Sequence, residues 1–268
     1  MSKHKILYIC QEITPYLAES EQSVLCRHLS QAMQECGNEI RTFMPRYGCI
    51  NERRNQLHEV IRLSGMNLII DDNDHQLIIK VASIPAARIQ IYFIDNDDFF
   101  ARKAVLTDAD GKAFEDNNER MVFFARGVLE TVKKLRWTPD VVHCHGWFST
   151  IAPIYLRKMF ADDPIFVDTK IVMSLYDDKF AKPLGSLHNM IEGEGMGDEN
   201  LSIIDTPSYE NIHRYVMNYV DGVIAGSPKV DTAILDLARK SGKAVLDYQS
   251  PDEEGFYENY NRFYENLF

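Results

Sequence analysis

Lys5 to Cys10 (KILYIC) is a continuous apolar run that begins almost at the N-terminus. Such runs suit strands covered on both faces, the usual condition of a parallel sheet. The next stretch places Leu25, Leu29, Ala32, Met33 and Cys36 on one helical face and stops at Gly37-Asn38, a C-terminal helix signal. Glu39 to Met44 then reads as a second strand. Strand, helix and strand in close succession make a βαβ unit, whose crossover is right-handed.

The same alternation returns in the second half. The pattern predicts parallel strands at 5–10, 39–44, 141–145, 170–176, 222–225 and 244–248. A helix carries Met121, Phe124, Val128, Leu129, Val132 and Leu135 on its buried stripe. Further helices are expected over Thr150 to Phe160 and Tyr209 to Tyr219. Another should start at Ser227-Pro228, where Ser can cap the free amides and Pro fits the first turn, and run to Ser241-Gly242. Between the halves, 57–63, 68–71, 76–83 and 89–94 are short alternating or apolar runs separated by turn residues, which predicts two antiparallel hairpins. Asp71 to Asp74 reads as a hairpin tip, since it lacks calcium-loop spacing. The expected fold is α/β: a Rossmann-like parallel sheet flanked by helices, with inserted β-hairpins. Phe256, Tyr260, Phe263, Tyr264 and Leu267 recur at spacings of three and four. Residues 1–251 are therefore expected to form the Rossmann-like domain, and 252–268 an amphipathic helix packing back on it.

Hydrophobic residues make up 45% of the 268, enough for a sizeable core. The net charge of -11 argues against nucleic acid and anionic membranes, which select for Lys and Arg. Met1 to Ile9 is too short for a signal peptide, and no run reaches the ~18 apolar residues of a membrane span, so a cytoplasmic location is expected. Five cysteines, at 10, 26, 36, 49 and 144, are odd in number and lack a CxxC pair; they read as reduced, mostly buried thiols.

Two segments could carry chemistry. Val141 to Trp147 (VVHCHGW) is a buried strand running into polar residues, and ligands of parallel sheets bind at the carboxyl ends of strands. His143 and His145 lie two apart and share a face. They could bond a sugar or a phosphate or bind a metal; equally, one could be satisfied in the core and the other exposed. No third zinc ligand stands at a telling spacing. The second segment is the end of the first strand. Nucleotide-binding folds place a Gly-rich turn there. Ala18, Glu19, Ser20, Glu21 and Gln22 stand in its place, and two carboxylates suit a helix dipole but repel a phosphate.

KILYICQEITPYL, Met44 to Gly48 (MPRYG), the helix start from Asp116-Asn117 to Arg120, PDVVHCHGW and VDGVIAGSP occur in this order. Together they resemble the N-terminal, starch-synthase catalytic domain of bacterial glycogen synthases, over about residues 3 to 250. The resemblance implies one half of a GT-B glycosyltransferase, the acceptor side, related to transfer of glucose from ADP-glucose to α-1,4-glucan. It also implies departures. The family's Lys-Thr-Gly-Gly-Leu turn, which meets the nucleotide sugar, aligns with Ala18 to Gln22. Its His-Asp-Trp-His run aligns with His145-Gly146-Trp147-Phe148, and its Val-His-Asn strand end falls near Met173-Ser174-Leu175 without the His. The family's second domain, which carries most of the donor pocket, lies beyond the matched region. The expectation is a degenerate, glucan-binding or synthase-associated domain that is non-catalytic alone. The alternative is an active half-enzyme that needs a partner donor domain. No catalytic residue, cofactor or metal is assigned. His143, His145 and Trp147 are the candidate sugar- or partner-binding residues, α-glucan and a full-length glycogen synthase are the candidate partners, and the uncovered cleft face is a candidate oligomer contact.

Overall fold

The computed structural model describes residues 3–268, so Met1 and Ser2 of the polar lead lie outside it. The strands are β1 (Lys5–Cys10), β2 (Glu39–Pro45), β3 (His58–Glu59), β4 (Met66–Ile70), β5 (Asn73–Ile84), β6 (Ile89–Asp95), β7 (Val141–His145), β8 (Lys170–Leu175), β9 (Gly222–Ala225) and β10 (Ala244–Leu246). The helices are α1 (Glu21–Glu35), α2 (Glu52–Asn55), α3 (Asp97–Phe100), α4 (Asn117–Leu135), α5 (Ile151–Arg157), α6 (Leu187–Gly193), α7 (Tyr209–Val216), α8 (Thr232–Lys240) and α9 (Phe256–Glu265). The sheet order is β10-β9-β8-β7-β1-β2-β6-β5-β3, with β4 pairing to β5. From β10 to β6 every neighbouring pair is parallel. The fold is thus mixed α/β with a mostly parallel sheet flanked by helices, as the apolar runs predict.

Three expectations need correction. Ile89–Asp95 belongs to the main sheet as well as to a hairpin: β6 is antiparallel to β5 on one edge and parallel to β2 on the other. Its near-complete burial follows from having neighbours on both edges. The hairpins β4–β5 and β5–β6 share β5, and Asp71-Asp72 form the tip of the first, both at positive φ as a two-residue hairpin loop requires. The helix expected from Ser227-Pro228 starts at Thr232, where the Asp231 carboxylate accepts from the Ala233 amide. The Ser227 hydroxyl closes a local turn on the Lys229 amide instead. Thr150 to Phe160 is shorter than its pattern: a 3-10 turn at Trp147–Ser149 leads into α5, which ends at Arg157.

Two packing features position the strand ends. Arg120 of α4 is fully buried and meets no carboxylate; it donates to the Phe99 and Val105 carbonyls and the Asn117 side chain. Burial lowers its pKa to about 10. The guanidinium therefore staples the 99–105 loop over α4 through neutral acceptors and the Tyr47 and Phe100 rings. On the other face, α9 lies directly on the sheet, with Phe256, Tyr260, Phe263 and Tyr264 buried. Gly222 makes this approach possible: a Cβ there would stand 2.8 Å from the Phe263 ring. Asn38 donates to Asn261 at 3.1 Å, tying α9 to the segment after α1.

Candidate functional site

The strand periodicity puts Tyr8 and Cys10 of β1 and His143 and His145 of β7 on one face, since Tyr8 pairs with His143 and Cys10 with His145. β8 adds Ser174, opposite His145, and Tyr176 follows just past the strand. All are buried, and α1 and α9 cover them. The two imidazole rings are tilted by 35° with centroids 3.9 Å apart. His143 is satisfied at both nitrogens, by Tyr264 Oη at 2.7 Å and Ser174 Oγ at 2.7 Å. Burial, and then the neighbouring His145, hold its pKa well below the usual histidine value. His145 bonds Tyr176 Oη through Nδ1 at 2.7 Å, while its Nε2 has no hydrogen-bond partner. Cys26 of α1 reaches the same place: the ligand atoms of Cys10, Cys26 and His145 all lie within 4.8 Å of one another.

The chain leaves this face at Gly146. Its φ of 80° and ψ of 160° fall in a region reserved for glycine. Trp147 is thereby turned away from the histidines toward a cavity of about 770 Å³ at the carboxyl ends of β1, β7 and β8. Gln11, Phe114, Asn117, Asp178 and Phe180 share its wall, with Lys112, Lys179 and Lys182 on the rim. Trp147 packs edge-on to Phe180 at 4.8 Å. Asp178 fixes this turn: it accepts from the Trp147 amide and from Tyr209 Oη, both at 2.9 Å. Burial raises its pKa, and those donors oppose the rise. Gln11 accepts from the Phe148 amide at 3.2 Å. Burial also raises the Glu12 carboxyl, with the Ser20 hydrogen bond opposing and Asp178 reinforcing. An indole and two phenyl rings among amides and carboxylates can offer a sugar both apolar faces and hydroxyl partners.

Of the expected trio, then, only Trp147 lines this cavity; His143 and His145 lie beneath α9. Gln11 belongs to the strand end, Gln11 to Tyr16, that the sequence offers as its second candidate segment, whereas nothing in the sequence singles out Asp178 and Phe180. Asp178 stands just past a buried strand, the position that binding residues of parallel sheets favour, and that was the available signal.

The turn at 18–22 faces elsewhere. Ser20 caps α1, accepting from the Ser23 amide, and Ser23 Oγ returns the bond to the Ser20 amide. Glu19, Ser20 and Glu21 border a second cavity of about 400 Å³, closed by Gly226, Tyr248, Phe256 and Tyr260. Gln22 points inward: its amide donates to the His145 carbonyl at 3.0 Å, and a Cβ at Gly146 would stand 2.3 Å from its nitrogen. The Gln22 side chain therefore occupies the space over Gly146.

Comparisons with known proteins agree with one another. The model of the starch synthase catalytic domain matches residues 5–246. The glycogen synthase of Chlorobium limicola is 37% identical over 174 residues, 65% of this chain and 36% of that protein. That of Chlorobium luteolum is 34% identical over 223 residues, 76% of this chain and 46% of its own length. The chain thus spans between a third and a half of the curated relatives it matches. The solved catalytic domain of starch synthase IV from Arabidopsis thaliana, bound to ADP and acarbose, superposes with a TM-score of 0.75 at 15% identity, over 93% of this chain and 52% of that one. At that identity the likeness speaks for the fold, and the family match over nearly the whole chain speaks for descent: the chain belongs to the starch synthase catalytic domain family and is homologous to glycogen synthases.

Proposed function

We propose that this domain binds α-glucan in the cavity beside Trp147 and does not by itself transfer glucose from a nucleotide sugar. The observation that carries the second half is the turn at 18–22. Where the family resemblance expects a lysine and two glycines able to admit a diphosphate, Ala18, Ser20 and Glu21 stand instead: Ser20 caps α1, and the Glu19 and Glu21 carboxylates border the neighbouring cavity. A leaving diphosphate needs positioned cations, and acidic groups there oppose it. The first half is supported by the aromatic wall of Trp147, Phe114 and Phe180 with Asp178 and Gln11 among them. A full-length glycogen synthase is the partner that would supply the chemistry.

Calorimetric titration with maltoheptaose and, separately, with ADP-glucose tests both halves. Saturable heat with the glucan, lost in Phe180→Ala, and none with the nucleotide sugar is expected. Radiolabelled glucose incorporated into glycogen above a blank by the purified protein would overturn the non-catalytic reading; no glucan heat at millimolar concentration would overturn the binding one.

A second reading is a half-enzyme completed by a donor domain in trans. The exposed rim lysine Lys182 favours it, since a cation at the cavity mouth could meet a phosphate presented from outside. It predicts transfer only on mixing with a donor domain, and loss of that transfer in Lys182→Met.

A further inference from the structure

The cavity of about 400 Å³ beside the start of α1 is separate from the glucan cavity and has no part in binding there. Three rings of α9 line it. Phe256 has its centroid 5.0 Å from that of Tyr257 and 4.9 Å from that of Tyr260. Tyr248, just past β10, adds a fourth ring and is 38% exposed. Gln249 accepts from the Asn259 side chain at 3.0 Å, which holds this segment to α9. Val24 and Leu25 of α1 supply aliphatic surface. Glu19 and Glu21 border the cavity, both exposed, and neither has an ion-pair partner among the described residues.

A second observation comes from inside the wall. Tyr260 lines the cavity and is only 2% exposed, yet its hydroxyl has no hydrogen-bond partner among the described residues. Burial, and after it Cys26, Tyr248 and Tyr257, raise its pKa, so the hydroxyl is neutral. A phenol oxygen withdrawn from water without a partner costs free energy unless a ligand meets it.

We propose that this cavity binds a primary aliphatic ammonium ion. Such an ion carries three N–H donors. The Glu19 and Glu21 carboxylates and Tyr260 Oη offer three kinds of acceptor at one cavity. Aromatic faces attract a cation, and the four rings provide them. The alkyl stem suits the Val24 and Leu25 surface. His28 is the one basic side chain among the described lining residues. The start of α1 carries roughly half a positive charge, against two full negative charges on Glu19 and Glu21. Its amides are already engaged by the Ser20–Ser23 capping box. The sign of the site is therefore opposite to that of a phosphate site. A neutral sugar would use the rings and the hydroxyl but leave both carboxylate charges uncompensated. The assignment does not rest on the glucan reading, and either can fail without the other.

The test titrates the full chain with n-pentylamine, as its ammonium ion at neutral pH and low ionic strength, by calorimetry. Saturable binding with a Kd on the order of 1 mM is expected for a ligand of this size. Salt at about 0.5 M should weaken it several-fold by screening. The neutral isostere 1-pentanol and the donor-free cation tetramethylammonium should each bind at least about fivefold more weakly. Glu19→Gln combined with Glu21→Gln should weaken pentylamine about fivefold or more. Tyr260→Phe and Tyr248→Ala should each weaken it about threefold or more, the first through the lost hydroxyl and the second through a lost ring face. Should a variant fail to fold, the wild-type series of pentylamine, pentanol and tetramethylammonium decides. Nα-acetyl-lysine amide carries the same ammonium on a peptide unit. Affinity equal to that of pentylamine assigns the ammonium to a lysine side chain, and much weaker binding assigns it to a free amine; both support the site. No saturation by pentylamine at tens of millimolar overturns the proposal. So does equal affinity for pentanol, or unchanged affinity in the folded double Glu variant, either of which would reduce the cavity to an apolar cleft.

Discussion

Strands β1, β7 and β8 each end in two kinds of residue, and the two kinds build different things. Cys10, His145 and Tyr176 turn into the closed cluster beneath α1 and α9; Gln11, Trp147 and Asp178, one or two positions further on, turn out to the open cavity. Inside the strand, sheet pairing and the two-residue period decide where a side chain points. Past the strand, the backbone is free to turn, and single hydrogen bonds such as Asp178 to the Trp147 amide decide instead. The closed region is fixed by its neighbours on every side, the open one by a few polar contacts, so perturbations should cost far more stability in the first than in the second.

The largest effect is expected at Tyr264, whose hydroxyl meets both His143 and Tyr8. Tyr264→Ala removes a buried ring and leaves both groups short of a partner. A loss of about 3–5 kcal/mol follows from aromatic-to-alanine changes in cores, or roughly 10 °C in Tm for a chain of this size. Tyr264→Phe keeps the volume and should cost about 1–3 kcal/mol, the price of unpaired buried polar groups. Thermal melts of the two variants separate packing from hydrogen bonding. Equal losses would show that the hydroxyl network contributes little and that the closed region is ordinary packing.

Next comes the hinge between the regions. Gly146→Ala places a side chain in a glycine-only backbone region and against Gln22. Strain of this kind costs about 1–3 kcal/mol before the clash is counted. Adding Gln22→Ala should recover the clash but not the backbone strain. Full recovery in the double variant would mean that the turn is set by crowding rather than by φ.

The sequence makes the first kind of residue legible and hides the second. The apolar runs predict nearly every parallel strand, because burial on both faces leaves a one-dimensional trace. His143 and His145 were readable as a same-face pair for the same reason. Taking Trp147 with them was natural from VVHCHGW, yet Gly146 divides that run, and nothing in composition says which way a positive-φ glycine turns the chain. Asp178 belongs to no apolar or periodic run. Cys10, Cys26 and His145 meet only through tertiary packing of two strands and a helix. The Ser227-Pro228 start failed because two good capping residues stand four positions apart, and the apolar stripe of Ile234, Leu235 and Ala238 serves the second.

A smaller and pH-dependent effect belongs to the open region's support. His213 lies under Asp178, is buried, and contacts the Tyr209 carbonyl through Nδ1 at 2.7 Å. Burial lowers its pKa, while the Tyr209 carbonyl and the charges of Asp178, Glu210 and Asp231 work against the lowering. A lowered histidine is neutral when folded and takes up its proton on unfolding. Its contribution is therefore intact above the unfolded value of about 6.5 and is lost as pH falls through it, by at most about 1.4 kcal/mol per pH unit. The raised carboxyls of Asp178 and Glu12 act in the opposite sense, so the difference between proteins is the useful quantity. Denaturant melts at pH 7 and 5.5 should show a smaller drop for His213→Gln than for the wild type. An identical drop would place the acid sensitivity elsewhere.

The smallest effect is expected at Gln22, although it touches both regions. Its amide donates to the His145 carbonyl, and that carbonyl also receives the Gln11 amide, so removing one donor does not leave it bare. The Gln22 Oε1, by contrast, is buried with no partner, an existing cost that a leucine would remove. A net hydrogen bond is worth about 0.5–1.5 kcal/mol and an unpaired buried acceptor costs about as much, so Gln22→Leu should be nearly neutral. Leucine, the residue that the family resemblance places here, has a similar volume and can fill the space over Gly146. The expected result is a Tm within about 2 °C of the wild type, by the scaling of stability to Tm, with maltoheptaose affinity unchanged. Such neutrality would mean that folding does not demand the glutamine. A loss of several degrees would instead make Gln22 a structural bridge between the closed cluster and the open cavity, and the separation between the two regions would have to be redrawn.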